Sequence, residues 1–272
     1  MERGQDEGGR SSELGRTNST VELGLTVGSS IDRLEATGVG YDSVEFGLAE
    51  AADVPERIDD ERLRGICDEL DLALDVHLPF KQVVATPVPE INEAIVAYQR
   101  RLLSWAGDVG ARKAVLHGTV RNRSDTSLRP VFASQLAEIV AAGREAGVEV
   151  VVENVGHQKR GLPLSVLGEL AAEVSAPVCF DVGHAYMEDG NEGIERFLSE
   201  YGNLVSHLHV HDARGRGDTH IPVGAGEIEF DLLSEHLGSF DGTVALEIFT
   251  DDTELLDDSA RRVRATFDGG ER

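Results

Sequence analysis

Histidines and carboxylates recur along this chain in short polar motifs: His77, His117, Glu153, Asp181 followed by His184, His209, Asp218 followed by His220, and Glu247. Each has an ordinary explanation by itself, because a lone histidine in an apolar run is usually a hydrogen-bonded core residue and a lone aspartate is usually solvated. Gathered at one place they need another explanation. Four carboxylates sharing a site with five imidazoles are too costly to bury without cations. A mixed imidazole and carboxylate set suits zinc, manganese, iron or cobalt, whereas an all-oxygen cage would point to magnesium or calcium. Glu153, Asp181, Asp218 and Glu247 together carry −4, so two divalent ions neutralise them and three leave +2, a charge that suits a phosphate dianion. The expected cofactor is a divalent metal (Zn, Mn or Co), one to three ions.

Around this set lie further candidates. His207, His209 and His211 alternate with a period of two and so share one face of a strand; His209 is the better ligand, His211 a supporting residue, and His207 a packed interior histidine. His157, Lys159 and Arg160 follow Glu153, and Arg214 and Arg216 precede Asp218. In a chain poor in positive charge these are candidate grips for a phosphate or carboxylate of the substrate. Gly224 and Gly226 read as a tight turn able to cradle a phosphate, and Glu45 as a strand-end residue facing substrate. Trp105 reads as core and His236 as surface.

The elements that must position these residues are legible from periodicity. Short β-branched runs alternate with helical patterns from Val21 onward, as when parallel strands are joined by crossover helices. Eight strands are expected: Val21 to Val27, Ser43 to Phe46, Leu72 to Leu78, Lys113 to His117, Val148 to Glu153, Pro177 to Val182, Val205 to His211 and Thr243 to Ile248. Segments such as Glu90 to Val109 and Leu128 to Ala146 carry apolar residues at spacings of three and four, the amphipathic helix pattern. Pro130 and Pro163 stand where helices begin. No G-x-G-x-x-G follows the first strand, which argues against a doubly wound sheet. The fold class is therefore α/β, a single-domain (β/α)8 TIM barrel over residues 21–268, and nearly every candidate ligand falls at the C-terminal end of a strand, where such barrels keep their active sites. Residues 1–20, polar and acidic, read as a disordered tail, and residues 269–272 as a second tail.

Composition adds limits. The 272 residues include 50 acidic and 25 basic side chains, a net charge of −25, with Lys81, Lys113 and Lys159 the only lysines. Such a surface resembles those of proteins adapted to a very salty cytoplasm, where repulsion is screened within a few ångström, and it disfavours a nucleic-acid partner. Cys67 and Cys179 form no C-x-x-C pair, so a thiolate zinc site is not indicated. No apolar run is long enough for a membrane span or signal core, and a cytoplasmic protein is expected.

The stretches VVVENVG at Glu153, CFDVGHA at Asp181 and His184, HLHVHD at His209 and GDTHIPVGAGEI at Asp218 and His220 resemble the xylose isomerase-like barrel superfamily, over about Val21 to Phe267. That group includes sugar and sugar-phosphate isomerases and epimerases, and also the endonuclease IV phosphodiesterases (AP endonuclease family 2). In the first branch the resemblance implies one divalent ion on Glu153, Asp181, His209 and Glu247, with the two glutamates flanking a small polyhydroxylated or phosphorylated substrate and moving its proton through an enediolate. In the second it implies three zinc ions on all nine residues, His77, His117, Asp218 and His220 being surplus to a one-metal isomerase, with DNA as the substrate. The barrel-top loops show no cluster of arginine and aromatic side chains suited to a DNA backbone, which favours the isomerase or epimerase. A barrel whose metal site serves only binding or structure is a further alternative, and related enzymes leave room for a homo-oligomer.

Overall fold

Parallel strands cannot be joined by tight turns, so a chain of alternating strand and helix patterns must return over the sheet each time. In the computed structural model, which describes residues 21–51, 54–238 and 240–268, this happens at every step. β1 (Glu22–Gly28) leads through α1 (Ile31–Thr37) to β2 (Ser43–Gly47), and α2 (Asp60–Leu70) leads to β3 (Ala73–His77). Then come α3 (Pro89–Asp108), β4 (Lys113–His117), α4 (Arg129–Ala146), β5 (Glu149–Glu153) and α5 (Leu164–Val174). β6 (Val178–Asp181), α6 (Val182–Tyr201), β7 (Val205–Val210), α7 (Asp231–Leu237), β8 (Thr243–Leu246) and α8 (Thr253–Phe267) complete the chain. Each strand pairs with the next in parallel, and β8 pairs with β1, so the described strands form a closed barrel. The tails expected at residues 1–20 and 269–272 lie outside the described residues. Among those described, no helix is long and apolar enough to cross a membrane.

β3, β5, β6, β7 and β8 are a little shorter than expected, β4 matches its expected span, β1 is shifted by one residue and β2 runs one residue further, to Gly47. β7 stops at Val210 and β8 at Leu246, which leaves His211 and Glu247 one residue beyond the ladder, although the Glu247 N–H still donates to the Val210 carbonyl at 3.1 Å. Pro130 sits in the first turn of α4, as its fixed φ and missing N–H favour. Pro163 instead caps α5 from outside, with extended backbone (ψ 143).

The core has two parts. The larger lies between barrel and helices, built from residues such as Leu23, Leu25, Val44, Phe46, Leu74 and Val76 with Leu102, Leu103, Phe132 and Leu136. Period-two alternation turns the intervening strand residues inward, and there Val115, Val151 and Cys179 form a small apolar cluster among the described residues. Much of the remaining interior is polar: Glu45, Asp75, His207 and Thr243 are all buried. A barrel held up by its outer layer can carry charge along its axis.

Candidate metal centre

Strand ends deliver the candidate ligands to one spot. His77, His117, Glu153 and Asp181 are the last residues of β3, β4, β5 and β6; His209 is the penultimate residue of β7, and Glu247 follows β8. Asp181 also caps α6, its carboxylate accepting the His184 N–H at 2.6 Å, so the same aspartate that begins the helix aims His184 inward. Gly183 between them leaves room for the next histidine: a Cβ there would lie 1.9 Å from Cε1 of His211. Asp218 and His220 arrive on the loop between β7 and α7.

Among the candidate ligands alone, donor atoms converge in three groups: His77, His117 and Glu153; Glu153, Asp181 and His209; and His184, Asp218 and His220; His220 and Glu247 also converge with His211, and His209 with Cys179 and His207. In the first, Glu153 Oε2 lies 3.1 Å from His117 Nε2 and 3.3 Å from His77 Nε2. In the second, His209 Nδ1 lies 3.8 Å from both Glu153 Oε1 and Asp181 Oδ2, and 3.3 Å from Glu247 Oε2. In the third, Asp218 Oδ1 is 2.7 Å from His220 Nε2 and 3.4 Å from His184 Nε2. Glu153 belongs to two groups and is 1% exposed.

In the second and third groups the ligand atoms lie close to one another without hydrogen bonding. Asp181 Oδ2, His184 Nδ1, His209 Nδ1, His211 Nε2, Asp218 Oδ1, His220 Nε2 and Glu247 Oε2 are buried yet lack a hydrogen-bond partner. An unsatisfied buried polar atom costs about 1–3 kcal/mol, and seven in one cluster point to an absent common partner. Imidazole nitrogens and carboxylate oxygens converging in this way fit a divalent transition ion.

Electrostatics agree. Burial alone would raise the Glu153 carboxyl, but His117, His184 and His209 hold it well below the usual carboxylate range. Asp181 behaves alike: burial opposes, while His184 and His211 dominate. His184 and His209 move the other way, well above an ordinary imidazole, because neighbouring negative charge outweighs burial. Burial keeps His117 low. Without metal, the site compensates its carboxylates with protonated histidines.

A second layer fixes the first. Glu45 does not face substrate as its strand-end position suggested: it is 1% exposed, inside the barrel, with Oε2 2.9 Å from His209 Nε2 and 3.2 Å from His207 Nε2. It thereby holds the Nε2–H of His209 and turns Nδ1 toward the second group. His207, bonded also to Thr243 Oγ1 at 2.6 Å, is a packed interior histidine as expected. Supporting partners of this kind typically contribute 10–100-fold to metal affinity, so Glu45→Gln is expected to weaken zinc binding by about that factor, measured by competition with a chromophoric chelator; unchanged affinity would show that His209 needs no such partner. Asn154 was not singled out from sequence. Its amide clamps the Asp181 backbone, donating to the carbonyl at 2.8 Å and accepting from the N–H at 2.9 Å. Its one signal was a polar residue directly after Glu153 in an apolar strand.

The Gly224–Gly226 turn is a cradle, but not for phosphate. Asp212, 1% exposed, fills it with its own carboxylate, which accepts from the N–H groups of Ala213 (2.9 Å), Gly224 (2.9 Å), Gly226 (2.7 Å) and Ile228 (3.2 Å). Gly224 supplies a left-handed φ of +87°, and a Cβ on Gly226 would lie 2.2 Å from Asp212 Oδ1. Asp212→Ala would orphan four donors and free the loop bearing Asp218 and His220. A loss of at least about 2 kcal/mol is expected, read by denaturant unfolding against wild type; a change below 0.5 kcal/mol, roughly the surface-mutation range, would contradict it.

The basic candidates divide. Arg214 Nε donates to the Ala225 carbonyl at 2.6 Å within its own loop, and Arg216 donates to the carbonyls of Met187 and Glu188 in α6. His157 lies 3.3 Å from Glu188 and is exposed. Arg160 is exposed, with φ +64°. Lys159 is part of the cluster, 2.9 Å from Asp218 Oδ2. His211 is fully buried with Nε2 3.3 Å from Asp181 Oδ1. Trp105 is core, its Nε1 donating to Asp60 at 2.9 Å, and His236 is half-buried beside Ser199.

Two aromatic side chains stand beside candidate ligands. Phe80, 57% exposed, lies 5.6 Å from the His117 ring, and Phe249, 72% exposed, stacks on His220 at 4.0 Å. Their low number hid them, since position rather than abundance puts both beside candidate ligands.

Comparison with known proteins places this geometry. Two uncharacterized proteins of Methanocaldococcus jannaschii are each 24% identical, over 192 and 208 residues, covering 66% and 73% of this chain and 66% and 80% of their own. Among solved structures, a Thermus thermophilus protein soaked with zinc chloride superposes with a TM-score of 0.68 at 26% identity, covering 93% of this chain and all of its own. A D-tagatose 3-epimerase-like protein does so with a TM-score of 0.69 at 21% identity, covering 89% and 98%. The Xylose isomerase-like TIM barrel profile matches residues 34–266. The chain belongs to the xylose isomerase-like TIM barrel family.

Proposed function

We propose that this protein is a divalent-metal-dependent isomerase or epimerase of a small polyhydroxylated substrate, a sugar or sugar phosphate. The observation that carries this reading is the pair of glutamates, Glu153 and Glu247, set on either side of the Asp181–His209 pair within 3.8 Å of His209 Nδ1. Similarity to an epimerase-like structure supports it. Glu153, Asp181, His209 and Glu247 would hold the ion. When bound there, a divalent ion polarises a carbonyl and offsets the negative charge of an enediolate.

The protein's own residues move the proton. Glu247, with 15% of its side chain exposed, is the carboxylate of the pair that reaches the mouth, and it removes the proton from the carbon beside the carbonyl. Glu153 is deeper, 1% exposed; protonated by exchange with water, it returns a proton to the substrate carbon. Return to the opposite face of the same carbon gives epimerisation; return to the former carbonyl carbon, with the hydroxyl proton of the first carbon passing to the former carbonyl oxygen, gives isomerisation. Phe80 and Phe249 line the entrance and limit water.

The test is deuterium wash-in. Metal-loaded protein in high-salt D2O is incubated with a panel of ketoses and ketose phosphates, and carbon-bound deuterium is followed by NMR. Exchange dependent on both metal and Glu247 supports the reading; no exchange with any member, together with cleavage of an abasic duplex, replaces it. That second reading, a three-zinc phosphodiesterase, is favoured by one observation: His77 and His117 beside Glu153, and His184, Asp218 and His220, converge as further ligand groups beyond the Glu153–Asp181–His209 set.

A further inference from the structure

The third ligand group is already in contact with a cation. Lys159 Nζ lies 2.9 Å from Asp218 Oδ2 and 3.1 Å from Nε2 of His184, the ring nitrogen that this group would present to an ion. The contact is built rather than incidental. Lys159 ends the 3-10 turn His157–Lys159 after β5, and Arg160 then turns the chain through a left-handed φ of +64°, which fixes where the lysine leaves the backbone. His184 Nδ1 faces Asp181 Oδ2 at 3.1 Å and Glu153 Oε1 at 3.2 Å. When metal in the neighbouring groups takes up the carboxylate charge and leaves His184 neutral, its Nε2 lone pair accepts from the ammonium.

We propose that the Lys159 ammonium is the resident cation of the His184–Asp218–His220 group and closes it to a divalent ion, so that the centre loads at most two metal ions. This rests on the reading that the other two groups hold metal. Charge supports it. Glu45, Glu153, Asp181, Asp218 and Glu247 carry −5; with neutral histidine ligands, two divalent ions and one ammonium balance that charge, whereas three divalent ions beside the same ammonium leave +2. An excess of that size needs a bound anion to offset it. The assignment bears on chemistry: an ammonium donates hydrogen bonds to a substrate oxygen but does not activate water as a third zinc would. It therefore favours proton transfer on a polyol over phosphodiester cleavage.

Zinc per chain decides it. The full chain is stripped with chelator, dialysed to equilibrium against zinc in high salt, and measured by elemental analysis beside Lys159→Met, Lys159→Arg and Lys159→Met combined with Asp218→Asn. Wild type should hold no more than two ions, Lys159→Met one more, Lys159→Arg the wild-type number, and the double variant should lose the additional ion. Three ions in wild type overturn the assignment while leaving the metal-dependent reading intact, and they do so even if a variant fails to fold. An equal count in wild type and folded Lys159→Met also overturns it. No zinc in wild type removes both this assignment and the proposed function.

Discussion

Glu247→Gln is expected to lower kcat by about 10²–10⁴-fold, the usual contribution of a positioned general base, with little change in the melting temperature of the metal-loaded protein. The substitution keeps the shape and one ligand-type oxygen while removing the group that accepts a proton. Glu247 is the better choice of the two glutamates for this test because it borders the mouth, with 15% of its side chain exposed, whereas Glu153 is buried and shared between two groups. Glu153→Gln should cost at least as much activity but also lower metal affinity, since it removes charge from both groups at once. The two variants thus separate proton transfer from metal binding: the first retains metal and loses deuterium wash-in, the second loses both. Full turnover in either variant would end the two-glutamate mechanism.

Stripping the metal is expected to produce the second large effect, a fall in stability whose size depends on pH. Metal that binds the folded chain alone stabilises it by RT ln(1 + [L]/Kd), about 4 kcal/mol at a thousandfold excess over Kd. In the stripped protein, His77, His184, His209 and His220 are raised, burial being outweighed by the carboxylates around them. A group raised on folding contributes stability that is complete below its unfolded pKa, about 6.5 for histidine, and lost as pH climbs through the folded value. Glu153, Asp181, Asp218 and Glu247 are depressed, with histidine partners overcoming burial. Their contribution is present above about pH 4.5 and lost as pH falls through the folded values. The stripped protein should therefore be most stable between about pH 4.5 and 6.5 and melt progressively lower toward pH 9. Metal-loaded protein should not follow that alkaline decline, because the ion replaces the protons as countercharge and binds neutral imidazole more strongly as pH rises. Thermal melts from pH 4 to 9, with and without zinc, test this. Parallel curves would show that the histidine–carboxylate cluster carries no linked charge.

Much of the barrel is legible in the order of the residues, for a local reason. Strand period, helix period and their alternation are written in neighbouring residues, and a polar residue ending an apolar strand, as in His77, His117, Glu153 and Asp181, must sit at the barrel's C-terminal face once the strands are parallel. The sequence by itself therefore determined the architecture, the face on which chemistry is placed and which histidines and carboxylates reach that face together. Only the tertiary structure decided what each loop side chain touches. Glu45 turns inward to His209 because period-two alternation, not strand-end position, governs its direction. Asp212 occupies the Gly224–Gly226 cradle, Arg214 and Arg216 turn back onto carbonyls, and Lys159 settles on Asp218 and His184, because loops follow paths without a period. The Glu45–His209, Arg216–Met187 and Lys159–Asp218 contacts join residues from different elements brought together by barrel closure, whereas Asp212 and Arg214 find their partners within one loop whose path has no sequence period.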